Sequence, residues 1–331
     1  MIVSVFGLGS IGRRHLSNLL LLKKELNITE LRGFDINPQK KFLKPFLNKV
    51  SISDNLENIA SDTDVAFVCS PTHLHIKSLR NILKFCKPHI YLEKPFSHTL
   101  SDCKNISKII KTNNKKLHVG YMMINHPITL MAKNYLKKIG RVLFARAEAG
   151  FYLPSWHPWE RYQDFYMSKI EQGGGALLDI SHEINLLQFL FGKVKSVSGS
   201  SIKTVSDLEL SSDDLTLSTL QFENFSAQIQ LDLLQFEEAR FFKIIGTKGS
   251  IEVNFVKNTI NYYNLKSKKW TRKKINFNFD KIYLIQLRYF FNSIYKNKKV
   301  NLSNPEDAIH TMEIISAMRI SSKNNGRKVK I

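Results

Sequence analysis

Only three cysteines occur in the 331 residues, Cys69, Cys86 and Cys103, and no two of them form a C-x-x-C pair. A scattered, odd set excludes a disulfide framework and offers no zinc-ligand spacing. No stretch approaches 18 uninterrupted apolar residues, which excludes a membrane-spanning helix. Residues 1–9 (MIVSVFGLG) have neither a basic leader nor a cleavage site and read as a strand, so a cytosolic location with reduced thiols is expected. Acidic residues are scarce, 28 against 49 Lys and Arg, a net charge of +21. The basic excess is spread along the chain, and Lys266–Lys274 (KSKKWTRKK) is its one dense run. Nucleic-acid readers gather their cations on one motif, and none of those motifs is present. The surplus reads as compositional drift in a chain rich in Lys, Asn and Ile, and secondarily as a field that draws in an anionic substrate.

What is present has the texture of two domains. Residues 1–120 alternate short apolar runs (Ile2–Phe6, Leu31–Phe34, Val65–Cys69, Ile90–Leu92, Lys116–Val119) with amphipathic segments, which predicts a doubly wound parallel α/β sheet. Residues 121–331 read as an α+β domain with a large, mostly antiparallel open sheet. Its strands are Val142–Glu148, Ser196–Ile202, Leu215–Phe222, Ala227–Leu234, Phe241–Gly246 and Ser250–Phe255. A helix over Ala176–Leu190 interrupts them, and helices Asp280–Tyr295 and Pro305–Ser322 close the chain, the closing helix being free to return to the first domain.

Gly7-Leu8-Gly9-Ser10-Ile11-Gly12 follows the first strand and opens a helix. Gly7 permits the turn, Gly9 admits a pyrophosphate, Gly12 lets helix and strand approach, and the amides about Ser10 and Ile11 meet phosphate charge. Asp35 lies 23 residues past Gly12, at the end of the next strand, where a carboxylate holds a ribose 2′-hydroxyl. That favours NAD; Lys40 and Lys41 just beyond leave NADP open.

Two further motifs leave the same strand edge, Ser70-Pro71-Thr72-His73-Leu74-His75 and Glu93-Lys94-Pro95. A lysine there, beside a nicotinamide, is placed to hydrogen-bond an alcohol or carbonyl oxygen. GLGSIGRRH, SPTHLH, LEKPFS and GGGALLDISHEIN, in this order, resemble the glucose–fructose oxidoreductase/inositol dehydrogenase (Gfo/Idh/MocA) family over nearly the whole chain. The resemblance implies an NAD(P)-binding Rossmann domain and a cis Lys94–Pro95 bond. It also implies that Lys94 reaches nicotinamide and substrate, that Ser70, Pro71, Thr72 and His75 line the cofactor, and that Glu93 faces it. The C-terminal sheet would lend one face to a homodimer or homotetramer.

After Gly173-Gly174-Gly175, Asp179 and His182 stand three apart, on one face of the expected helix. A carboxylate beside an imidazole makes His182 a general base for a sugar hydroxyl, and a capping Asp with a buried structural His is the plainer reading. Relatives place this histidine four residues after the aspartate, and Asn185 stands where they carry Asp. Ile124 replaces an arginine frequent in the subgroup. Trp156, His157, Arg161, Tyr162 and Tyr166 form an aromatic and polar cluster suited to a sugar ring, or a loop that merely covers the site. Tyr121, Trp156, Tyr162 and His182 are the expected substrate contacts. His73, His98, His118 and His310 read as structural, and no metal is implied.

The expectation is therefore an NAD(P)-dependent oxidoreductase acting on a CH–OH group of a sugar, inositol or sugar derivative, with a phosphorylated or nucleotide-linked sugar favoured by the charge. Lys94, Asp179 and His182 carry the chemistry. Two rivals stand beside it: a hydrolase or epimerase that oxidises and re-reduces within one turnover, and a non-catalytic dinucleotide-binding partner.

Overall fold

The computed structural model describes residues 1–156, 158 and 160–331. Its first strands and helices are β1 (Ile2–Phe6), α1 (Ser10–Leu21), β2 (Glu30–Phe34), β3 (Ser51–Ser53), α2 (Leu56–Ala60), β4 (Val65–Val68), α3 (His75–Phe85), β5 (His89–Leu92), α4 (Cys103–Thr112) and β6 (Leu117–Val119). The middle of the chain adds α5 (Pro127–Leu136), β7 (Val142–Tyr152), α6 (Leu153–Trp156), α7 (Ala176–Asp179), α8 (His182–Phe191) and β8 (Ser196–Lys203). The strands β9 (Leu215–Gln221), β10 (Ser226–Asp232), β11 (Leu234–Gly246), β12 (Gly249–Asn254), β13 (Thr259–Asn264) and β14 (Lys269–Lys274) follow, then α9 (Lys281–Tyr295), α10 (Pro305–Lys323) and β15 (Val329–Lys330).

Two compact units result, one of Met1–Tyr121 with Tyr283–Ile309, the other of Met122–Ile282 with His310–Ile331. The first carries a six-stranded parallel sheet in the order β3-β2-β1-β4-β5-β6. All four residues of β4 are buried, as expected of a strand covered on both faces. The order reverses between β1 and β4, so the loops leaving these two strands diverge and open a crevice at their carboxyl ends. Helix α9 completes this unit's core: Leu287, Phe290 and Phe291 are fully buried among Val3, Leu16, Phe67 and Tyr91.

The second unit carries nine strands in the order β14-β13-β12-β11-β7-β10-β9-β8-β15. All neighbours are antiparallel except β7 and β10. Alternation sets its faces: on β12 Ile251 and Val253 are buried, whereas Ser250, Glu252 and Asn254 keep partial exposure on the other side. Thr247-Lys248 turns between β11 and β12, with Gly246 paired to Gly249.

The structure differs from the sequence reading in several places: β3, β13, β15, α2 and α5 were not foreseen, and two further differences bear on the site and the sheet edge. The helix expected over Ala176–Leu190 is two helices, α7 and α8, broken at Ile180-Ser181. The basic run at Lys266–Lys274 supplies edge strand β14, which apolar alternation could not reveal because all six of its residues are exposed. Charged side chains on a sheet edge discourage pairing with another chain.

Candidate active site

In the first unit the glycine turn is closed beneath and open above. Gly7 has φ +92, and a Cβ on Gly12 would collide with the Gly7 carbonyl oxygen. Nothing lies within 4 Å of a Cβ built on Gly9. No side chain caps the start of α1, which leaves the amides of Ser10, Ile11 and Gly12 as donors for an anion. A dinucleotide pyrophosphate fits this cradle. Asp35 is buried at the end of β2, and its carboxylate accepts from Leu8 N (2.9 Å) and Asn37 N (2.9 Å).

The loops after β4 and β5 are tied together. His75 Nδ1 lies 2.9 Å from the Pro95 carbonyl oxygen and Nε2 2.9 Å from that of Ser70, so the ring is a strut between the two motifs. A neutral imidazole donates to only one of the two, and burial holds His75 below its ordinary range against the opposing pull of the Pro95 carbonyl. Ser70 Oγ pairs with Ser78 Oγ at 3.0 Å, Thr72 is buried, and Pro71 is exposed.

Glu93 is turned inward. His15 Nε2 lies 2.6 Å from its Oε1, and Lys94 N donates to Oε2 at 3.2 Å. Both side chains are buried, so the pair stiffens the Lys94 backbone from beneath. The Lys94–Pro95 bond is cis. Across residues 90–97 Lys94 alone keeps partial exposure, on the loop that follows β5 at the carboxyl edge of the sheet.

In the second unit, Asp179 ends α7 and His182 opens α8, so their three-residue spacing is not that of one continuous helix. Tyr166 Oη donates to Asp179 Oδ1 at 2.6 Å, and both Asp179 and His182 are buried. The start of α7 is held by Asp213: its carbonyl accepts from Ala176 N (2.9 Å), and its Oδ2 from Leu177 N (2.9 Å). Gly175 sits at φ +108, and a Cβ there would strike Asp213 Oδ1. Burial raises the Asp213 carboxyl, opposed first by the Leu177 N–H bond, and burial lowers Arg319, opposed by the Asp213 charge. Glu183, next to His182, is buried against Arg240, 2.9 Å from its Nε. Asn185 Nδ2 donates to Thr311 Oγ1 at 3.2 Å.

The expected substrate contacts are placed unevenly. Tyr121 is fully buried in the first unit. The Tyr162 hydroxyl accepts from Glu209 N at 3.1 Å, a tie to the 209 loop that sequence did not foresee. Trp156 stacks on Phe151, ring centres 4.2 Å apart, and is 45% exposed. His157 lies outside the described residues. Ile124 is buried in a short turn over Met122–Asn125. Sequence reasoning missed His15, Asp213 and Arg240, all of which act through another residue. The one signal for Asp213 was the Asp213-Asp214 pair standing just before a strand. Among the described residues no group of His, Cys, Asp and Glu could hold a metal ion, and no helix is long and apolar enough to cross a membrane.

Residues 1–121 match the oxidoreductase-family NAD-binding Rossmann fold, and residues 137–331 match that family's C-terminal alpha/beta domain. The chain belongs to the Gfo/Idh/MocA oxidoreductase family. Its first unit is thus the NAD-binding domain of that family, built on the glycine cradle. An uncharacterized oxidoreductase of Bacillus subtilis, YrbE, is 24% identical over 261 residues, 76% of this chain and 72% of that protein. The 2,7-anhydro-N-acetylneuraminate hydratase of Escherichia coli is 26% identical over 207 residues, 58% of this chain and about half (51%) of its own length. Levoglucosan dehydrogenase, solved with NADH and levoglucosan, shares the fold over 100% of this Gfo/Idh/MocA chain and 99% of its own, with a TM-score of 0.86 and 19% identity.

Proposed function

We propose that this chain is an NAD-dependent dehydrogenase or reductase acting on a secondary alcohol or ketone of a sugar or sugar derivative. The observation that carries the reading is Lys94, partly exposed on a loop fixed by Glu93 and His15, in a domain with a dinucleotide cradle. A dinucleotide-binding partner without turnover needs the cradle and has no use for that lysine. The name of levoglucosan dehydrogenase supports a sugar as substrate class. The net charge of +21 supports a phosphorylated or nucleotide-linked one.

Gly7, Gly9, Gly12, Asp35 and Thr72 would hold the dinucleotide, which when bound supplies the hydride acceptor or donor. In the oxidative direction an imidazole nitrogen of His182 accepts the proton of the substrate hydroxyl. On the first unit, Lys94 Nζ would donate a hydrogen bond to a substrate oxygen and stabilise developing negative charge. Asp179, fixed by the Tyr166 hydroxyl, orients the imidazole. The open face of the second unit's sheet serves self-association as a homodimer or homotetramer. The three free thiols fit a reducing cytosol: burial pushes Cys86 up to about 11 and Cys103 up to about 12.

A second reading has its own support, in the likeness to a protein named as a hydratase, a reaction class with no net oxidation. The test is a panel of free, anhydro-, phosphorylated and nucleotide-linked sugars with NAD, followed at once by NADH absorbance and by substrate consumption. Stoichiometric NADH establishes the dehydrogenase. Consumption without NADH establishes the closed redox cycle. Neither, from protein that binds NAD, would sink both.

A further inference from the structure

The residues around Asp35 bear on which dinucleotide the first unit takes, an inference that rests on its binding a dinucleotide at all. A carboxylate at this position ordinarily selects the ribose 2′-hydroxyl and repels a 2′-phosphate. Here it is compensated by a cation in contact. Only 7% of the Asp35 side chain is exposed, both oxygens accept backbone amides, and Oδ1 also accepts from Lys40 Nζ at 3.1 Å. Lys40 lies 5.7 Å from the centre of the Phe42 ring. Over that same ring, at 4.1 Å, stands the guanidinium of Arg13 from the first turn of α1. One long bond, from Nε to the Gly9 carbonyl at 3.4 Å, ties this guanidinium to the glycine turn. Phe42 is itself 40% exposed, so the ring is a platform for two cations at the end of β2 more than a core residue.

We propose that Lys40 and Arg13 accept a 2′-phosphate, so that this chain binds NADP(H) about as well as NAD(H). Lys40 neutralises the carboxylate that would exclude the phosphate, and the Arg13 guanidinium supplies the forked donors that a phosphate favours. The pair is specific in sequence: Lys41, one residue on, makes no such contact with Asp35.

The test is isothermal titration calorimetry of the full chain with NAD and with NADP, for the wild type and for Lys40→Glu, Arg13→Glu and the control Lys41→Glu. The quantity read is the ratio of the two dissociation constants. In the wild type NADP should bind within about tenfold of NAD. Lys40→Glu and Arg13→Glu should each shift the ratio against NADP by about tenfold or more, and Lys41→Glu by less than about threefold. Wild-type discrimination against NADP beyond about tenfold, or a ratio that Lys40→Glu moves no more than Lys41→Glu does, overturns the inference and leaves the NAD site intact. Protein that binds neither dinucleotide overturns the cofactor reading itself.

Discussion

Lys94 is the residue on which turnover depends most directly. Lys94→Ala removes the one donor assigned to the reacting oxygen and leaves the cradle untouched. Its turnover should fall by about 10²–10³-fold, the loss seen when a preorganised donor is removed, with NAD affinity changed little. Single-turnover rates and calorimetry on the same preparation check it, and a variant that kept most of its rate would strip Lys94 of the role. His118 makes a separate, titratable claim. It is fully buried, its ring centre is 5.0 Å from that of Tyr91, and neither ring nitrogen has a hydrogen-bond partner among the described residues. Burial pushes it down to about 3, and burial pushes His126 down to about 4. Both histidines are therefore neutral in the fold, whereas the unfolded chain takes up their protons below about pH 6.5. Their contribution to stability is complete above that pH and is lost as pH falls from there toward 4 and 3, by up to about 1.4 kcal/mol per pH unit for each. His118→Phe keeps the ring stack and should flatten the slope of urea-unfolding free energy between pH 6 and 4 by about one proton's worth. An unchanged slope would show that His118 does not titrate on unfolding.

Helix α9 is needed by a sheet that precedes it by more than 150 residues in sequence. Phe290, fully buried, faces Phe67 and Tyr91 with ring centres 6.3 and 5.8 Å away. Phe290→Ala should cost about 3–5 kcal/mol, read as a lower denaturation midpoint with NAD binding lost in the same transition. Helix α7 is too short to hold itself, since four residues close barely one turn. Asp213 supplies its missing acceptors, and Asp179 lies two residues beyond the bonded Leu177 amide. Asp213→Ala should lower kcat by about 10–100-fold through displaced Asp179 and His182, as small misplacements of catalytic groups do. Asp213→Asn, which keeps an oxygen acceptor, should recover much of that loss, and NAD affinity should stay level in both. Loss of NAD affinity along with kcat would mean general unfolding in place of local positioning.

For the molecule as a whole the charge of +21 makes a prediction about substrate class. A field of this size raises the encounter rate of an anionic sugar, and salt screens it over a Debye length of about 10 Å at 0.1 M. The kcat/KM for a phosphorylated or nucleotide-linked sugar should fall between low and 0.3 M salt, and that for a neutral sugar should not. Equal salt response for both would return the surplus to compositional drift.

The parallel sheet, the glycine cradle and the Lys94 loop were legible in the sequence because each is local: a buried strand followed by a motif whose residues touch one another. The alternation of strand and helix implies a parallel sheet, whereas its order and the short strand β3 emerge only in the fold. Tertiary structure alone decided what lies far apart in the chain or lacks a periodic signal. Glu93 pairs with His15, 78 residues earlier, a partner that no spacing in the sequence indicates. Asp213 reaches back 36 residues to the start of α7, and Lys40 folds onto Asp35 through a turn with no regular period. Buried polar groups must find partners wherever the fold brings them, and partner choice is a property of packing that no spacing rule contains.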